Sequence, residues 1–380
     1  MSYGVRMTSI EISGAESDLA VRQARGMCRQ QRGTGVGAAA SADAVATGGH
    51  PGARGAVRGL VVLVALLAIS SHGEAQTALE QCWSPAALQS RPEERAPRRG
   101  APGHAQRIPD IALQSFTAVP PSLQGSIRRV ALPPGRKLIA LTFDLCEQAG
   151  EIAGYDGAIV DYLRANNVRA TFFAGGKWLL THSERAQQIM ADARFEVGSH
   201  GWGHMNVRGL SGASLATELR GPQAAYEATR ARLAARQCAA GGLDTAAPRI
   251  SLYRFPYGAC NSAALAATAA NGLLAVQWDV STGDPDPNQS AQAIAGAALR
   301  HARPGSIVLM HANGRGHHTA EALPMLVPKL RAKGFEFVTV SELLAAGRPE
   351  ITQTCFDAKL GDTDRYDRLF ARRAEVRRAP

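Results

Sequence analysis

From Lys137 onward the chain alternates between two textures. Seven short runs rich in apolar, β-branched and aromatic residues read as strands: Leu138–Phe143, Arg169–Ala174, Phe195–Ser199, Ile250–Arg254, Leu274–Val280, Ser306–His311 and Phe335–Val340. Between them, Tyr155–Asn166, Ser183–Ala191, Ser214–Ala235, Ser262–Asn271, Ser290–His301 and Ala320–Lys333 carry helical patterns. Several strand runs are continuously apolar rather than alternating, as strands covered on both faces are. Strand–helix alternation predicts parallel strands with crossover helices. Seven such units suit a distorted (β/α)7–8 TIM-like barrel, an α/β fold with a single catalytic domain over 137–347, better than a two-domain open sheet. A glycine-rich phosphate loop is missing after the first strand.

The flanks differ from this core. Residues 1–56 are rich in Ala, Gly, Ser and Arg with little periodicity, which predicts disorder or a leader upstream of the true start. Leu60–Ile69 is an unbroken apolar run preceded by Arg54 and Arg58 and followed by Gly73-Glu74-Ala75. A basic flank, a short apolar centre and a small-residue exit predict a secretory signal over 57–76 and a translation start near Val57. The run is short for a spanning helix, so contact with the membrane is expected only during export. The competing reading is an uncleaved tether. Residues 77–136 are rich in proline and arginine and read as an extended lead-in that wraps the domain. Residues 348–380 read as a basic tail.

The 380 residues are 45% hydrophobic and 19% charged, enough for a sizeable core. The net charge of +10 concentrates in stretches such as Arg91–Arg107 and Arg368–Arg378, which read as solvated ends. Without an aromatic-interleaved basic patch or zinc-finger spacing, no nucleic-acid partner is expected. Export would place Cys82, Cys146, Cys238, Cys260 and Cys355 in an oxidising compartment. Cys82 and Cys355 flank the folded region and are candidates to tie its ends. Cys146 and Cys260 each follow a chemically loaded motif and are candidate neighbours. Five is odd, so one is left over, and spacing alone does not give the connectivity.

Polar residues recur where the strands end, which in parallel barrels is the catalytic mouth. Asp144 follows the first strand, His200 and His204 the third, Arg254 and Tyr257 the fourth, Asp279 and Asp284 the fifth, and His311 the sixth. Two histidines four apart beyond a strand, with glycines letting the backbone turn, can converge on a divalent ion, for which imidazole suits Zn, Co, Ni or Fe. The bland alternative is a surface pair. A strand-end carboxylate such as Asp144 can act as ligand or general base, or can simply cap the next segment. His311 is equally a candidate acid or a satisfied core histidine.

These residues carry a resemblance. Leu141–Asp144 (LTFD), Ser199–His204 (SHGWGH), Arg254–Gly258 (RFPYG), Trp278–Asp284 (WDVSTGD) and Ile307–His311 (IVLMH) resemble, in order and spacing, the five motifs of the polysaccharide deacetylases. This is the NodB-homology domain of carbohydrate esterase family 4. Ala170–Phe173 and Gly334–Leu344 resemble the family's second strand and closing unit, so the likeness covers about Lys137–Gly347. It implies metal-dependent removal of N- or O-acetyl groups from a glycan. Position by position it makes Asp144 the base, His200 and His204 metal ligands, and Arg254 the partner that keeps Asp144 ionised. It also makes the Tyr257 backbone N–H an oxyanion donor, His311 the acid, Leu309 the wall for the acetyl methyl and Trp278 a support of the groove. The expected substrates are N-acetylglucosamine polymers of peptidoglycan, chitooligosaccharide or exopolysaccharide, in the periplasm or outside the cell.

Two positions depart from the family pattern. Where a second aspartate completes the metal triad, this chain has Leu145. Glu147 is the favoured substitute, with Asp156 or water completing the shell as the alternatives. In the fourth motif the paired acids and following Trp are replaced by Ser281, Asp284 and Pro285, which leaves Asp284 to tune His311 with Asp279 behind it. Two other readings remain open: a metal-independent amidohydrolase acting on a small cyclic amide, and a glycan-binding barrel without catalysis.

Overall fold

The computed structural model describes residues 77–378 apart from 101–102, 104–106, 114–115, 241–242 and 244. The expected signal and leader, with Cys28, lie outside the described residues. Among these, no helix is long and apolar enough to cross a membrane.

Twelve strands occur among the described residues. Two of them, β1 (Arg98–Arg99) and β4 (Glu151–Ile152), make a separate antiparallel ribbon. The others form one sheet from β2 (Ser126–Ala131), β3 (Leu138–Leu145), β5 (Ala170–Ala174), β6 (Phe195–Ser199), β7 (Leu252–Tyr253), β8 (Leu274–Val276), β9 (Val280–Ser281), β10 (Ile307–His311), β11 (Glu336–Phe337) and β12 (Arg348–Thr352). The order is β12-β2-β8-β7-β6-β5-β3-β10-β9, with β11 on β3. Pairings between β3, β5, β6, β7, β8, β9 and β10 are all parallel. β8 pairs with β7 and β9, three residues further on, pairs with β10, so the sheet curls round on itself into a largely parallel half-barrel, consistent with the expected distorted barrel. All eight residues of β3 are buried, since the helical layer covers its outer face and the barrel interior its inner face.

The predicted strand Leu274–Val280 is thus two pieces, and Ile250–Arg254 is paired only over Leu252–Tyr253. The apolar run Phe335–Val340 stops at Phe337 because Thr339 and Glu342 form a reciprocal capping box that starts a helix at Val340. Both flanks carry structure that their composition concealed. In the lead-in, β2 runs parallel to β8, with Arg128 stacked 3.6 Å over Phe356 and donating to the carbonyls of Phe356 and Asp357. In the expected tail, β12 pairs antiparallel with β2, and a helix follows over Asp364–Arg378.

The disulfides are Cys82–Cys238 and Cys260–Cys355, and Cys146 is a buried free thiol. Both candidate pairings from the sequence are therefore corrected. Cys82 ties the lead-in to the segment after the longest helix, Gly212–Ala234, and Cys355 is stitched to the loop after β7 rather than to the other end of the domain.

Candidate active site

The tops of β3, β5, β6 and β10 lie level. His311 is the register partner of Asp144, Asp144 of Phe173, and Leu145 of Ala174, which pairs with Ser199. His200 and His204 follow directly. The loop carrying them folds tightly: Gly201 has φ +80, and a Cβ there would stand 2.6 Å from a Glu218 carboxylate oxygen. His204 itself adopts φ +54. Glu218, on the Gly212–Ala234 helix, accepts from the backbone N–H groups of Trp202 (2.9 Å) and Gly203 (3.0 Å) and so pins the loop.

Asp144 is buried between two partners. Arg254 Nη1 donates to its Oδ1 at 2.9 Å, and His200 Nε2 faces its Oδ2 at 3.3 Å. Burial alone would raise the Asp144 carboxyl, but the neighbouring His200, Arg254 and His311 side chains together hold it below the ordinary range. Arg254, fully buried, also donates to Thr142 Oγ1 and to the carbonyls of Val276 and Gln277, with its guanidinium 3.9 Å over the Phe173 ring.

Both histidines are neutral ligand candidates, because burial lowers their affinity for a proton. His200 Nδ1 lies 3.0 Å from the Arg254 carbonyl and can only donate to it, which leaves the Nε2 lone pair facing a carboxylate oxygen. His204 Nδ1 is buried without a hydrogen-bond partner. Two facing acceptors and an orphaned ring nitrogen fit a cation among them. Cys146, His200 and His204 offer ligand atoms that all lie within 4.8 Å of one another.

Glu147 is not part of this gathering, which corrects its expected place as a ligand. Its Oε2 accepts from Ala153 N and its Oε1 from Thr181 Oγ1. The cause is strand parity. Successive residues at the end of β3 point to opposite faces, so Cys146 shares the face of Asp144, while Glu147 shares that of Leu145, which packs into the helix-covered core. Asp156 is likewise occupied, 3.1 Å from Arg95 Nε.

On the opposite side of the mouth, His311 Nδ1 donates to Asp284 Oδ1 at 2.9 Å, and its backbone N–H donates to Oδ2 at 2.7 Å. Thr319 and Thr282 hydroxyls also donate to this buried carboxylate. Burial would lower the His311 imidazole, but the charge and hydrogen bond of Asp284 outweigh it and raise the pKa above the ordinary value. Asp279 is not behind this pair: it accepts from Ser306 Oγ and Ile307 N, at the start of β10 rather than its end.

Tyr257 sits at φ +62, its ring 4.4 Å from that of His204 and 4.6 Å from Tyr366 of the Asp364–Arg378 helix, with Phe370 at 5.4 Å. Arg208, donating to Asp364, Asp367 and Thr363, anchors that helix. Leu309 is almost buried beside Thr142 in the register. Trp278 is buried beneath Arg254 and donates to Asp357 Oδ1 at 3.0 Å. Sequence reasoning missed Cys146, Glu218 and the wall made by the last helix. Parity along β3 carried a signal for the first; the other two come from distant elements and had none.

Residues 131–276 match the family described as polysaccharide deacetylase. A peptidoglycan-N-acetylglucosamine deacetylase of Bacillus cereus is 27% identical over 56% of this chain and 91% of its own length. The Listeria monocytogenes enzyme of the same name is 30% identical over 58% of this chain, and the match spans only 42% of that protein. Among solved structures, a mutant of a CE4-family pseudoenzyme with restored enzymatic activity superposes with a TM-score of 0.49 at 26% identity, over 59% of this chain and 73% of that one.

Proposed function

The chain carries a polysaccharide deacetylase domain, and from that premise we propose that it is an exported, metal-dependent hydrolase removing N-acetyl groups from N-acetylglucosamine-containing polysaccharide. The observation that carries this reading is the convergence on one mouth of an ionised, arginine-held carboxylate, two neutral histidines and a carboxylate-backed third histidine.

His200 and His204 would hold the ion. When bound, a divalent ion such as zinc, or cobalt, nickel or iron, supplies Lewis acidity that sharpens a water and polarises the acetyl carbonyl. Asp144 takes the proton from the attacking water, and Arg254 keeps Oδ1 occupied so that Oδ2 faces the reaction. The Tyr257 backbone N–H, presented by a left-handed turn, is the donor for the developing oxyanion. His311 gives the departing amine its proton, with Asp284 holding its tautomer and its charge. Leu309 walls the space for the methyl group and Trp278 supports the floor beneath Arg254.

The relatives' names favour peptidoglycan as the polymer, with chitooligosaccharide and exopolysaccharide as competitors. Two disulfides support an oxidising destination, periplasmic or secreted. The test is acetate release by the purified protein from a panel of these polymers, comparing metal-stripped enzyme with enzyme given back zinc or cobalt. Release that needs metal supports the proposal. Release from a small cyclic amide unaffected by chelation would replace it with a metal-independent amidohydrolase, and glycan binding without any release would replace it with a binding barrel.

A further inference from the structure

We propose that Cys146 is the third metal ligand, so that the centre is a thiolate-bearing His–His–Cys site suited to zinc or cobalt(II), with Asn313 as the residue that positions the sulfur. This rests on the metal-dependent reading of the same mouth and deepens it by naming what stands in for the carboxylate missing at Leu145.

Leu145 belongs to the apolar cluster against the helices and offers no ligand atom. One residue further, strand parity returns the chain to the face of Asp144. There the Cys146 sulfur and one nitrogen each from His200 and His204 lie mutually within 4.8 Å, all three buried. This is a spacing that a single ion can bridge, since Zn–S is about 2.3 Å and Zn–N about 2.0–2.1 Å. Two independent features point to a cation: the orphaned, buried Nδ1 of His204 and the His200 Nε2 lone pair turned towards Asp144 Oδ2.

The sulfur is also held from behind. Asn313, fully buried, donates from Nδ2 to both the Cys146 carbonyl (2.8 Å) and Sγ (2.9 Å). Asn313 is itself fixed, its carbonyl accepting from Gly154 N and its Oδ1 from Arg315 N. A donor aimed at sulfur stabilises negative charge there, the outer-sphere role that orients and tunes ligands. A thiolate in place of a carboxylate keeps the ligand set at one negative charge and shifts its preference from hard to softer ions. On binding, Cys146–SH and M²⁺ become Cys146–S–M⁺ and one proton goes to solvent, with no change of oxidation state.

The experiment is a cobalt(II) titration of the metal-stripped, disulfide-intact protein, read by near-ultraviolet absorption and by bound metal per chain. Thiolate coordination gives an intense sulfur-to-cobalt charge-transfer band. The other four described cysteines are locked in disulfides and cannot contribute to it. Expected are one cobalt per chain, the band in wild type, its loss in Cys146→Ser with affinity reduced at least about tenfold, and affinity weakened about 10- to 100-fold in Asn313→Ala with the band retained. Cobalt binding without the band, no cobalt binding, or unchanged affinity in Cys146→Ser would each overturn the assignment. Wild type alone decides the first two, so a misfolded variant does not shield the idea. Acetate release is scored separately. A band without release keeps the ligand and sinks the deacetylase reading; metal-dependent release without a band does the reverse.

Discussion

The barrel has a regular side and a patched side. On the regular side, β3, β5 and β6 run in unbroken five-residue register, Leu141–Leu145 against Ala170–Ala174 against Phe195–Ser199. On the patched side, β7 meets β6 at a single residue pair, β8 and β9 are separated by three residues outside the ladder, and β2 is wedged against β8. The backbone groups that leave the ladder there still need partners, and Arg254 supplies them at the carbonyls of Val276 and Gln277 while its third nitrogen holds Asp144. One side therefore places groups by register, the other by a buried cation. The proposed base and the proposed ligands stand on the regular side. Tyr257, the proposed oxyanion donor, and Asp284 follow the two-residue strands β7 and β9, where loops do the aiming, whereas His311, the proposed acid, ends β10 in five-residue register with β3.

Removing the cation tests this division most severely. Arg254→Met leaves Asp144 buried and unpaired and two carbonyls unsatisfied, so stability should fall by about 3–5 kcal/mol in denaturant unfolding. A loss below 1 kcal/mol would mean that the patched side stands without it. Substitutions on the regular side should instead show their largest effect in chemistry; Asp144→Asn still offers Arg254 Nη1 an acceptor. Asp144→Asn should lower acetate release about 10²- to 10⁴-fold with metal content unchanged, and His204→Ala should lose both metal and release. Metal analysis alongside the rate separates the two.

On the patched side, Asp284→Asn should alter the pH profile. Asp284 raises the His311 pKa, so the acid form persists above the ordinary imidazole range and is lost as pH climbs through the raised value. Without that charge the alkaline limb should move to lower pH; an unmoved limb would remove His311 from the acid role. The smallest effect is expected for Trp278→Phe, which gives up the bond to Asp357 and should cost about 1 kcal/mol with the pH profile intact.

The same division explains what could be read in advance. Long apolar runs such as Leu138–Phe143 announce strands because both faces are buried, and the motifs that end them sit at one mouth for that reason. Two-residue strands such as β7 have no periodicity to detect, and β2 was hidden by Arg128 and Arg129, whose charges are satisfied by the Phe356 and Asp357 carbonyls and by Glu350. Glu147 carries the commoner ligand chemistry, but its carboxylate is taken up by Ala153 and Thr181, and it is Cys146 that lies beside the two histidines. Asp284 was legible as the partner of His311, but its hold through Thr319 on the following helix was not.

The last helix brings Tyr366 and Phe370 against Tyr257, and Cys260–Cys355 fastens the segment that delivers it. One wall beside Tyr257 is thus made by residues outside the strand-end motifs. A chain assembled this way can rebuild that wall by changes confined to the Asp364–Arg378 helix, while Asp144 and His311 stay untouched.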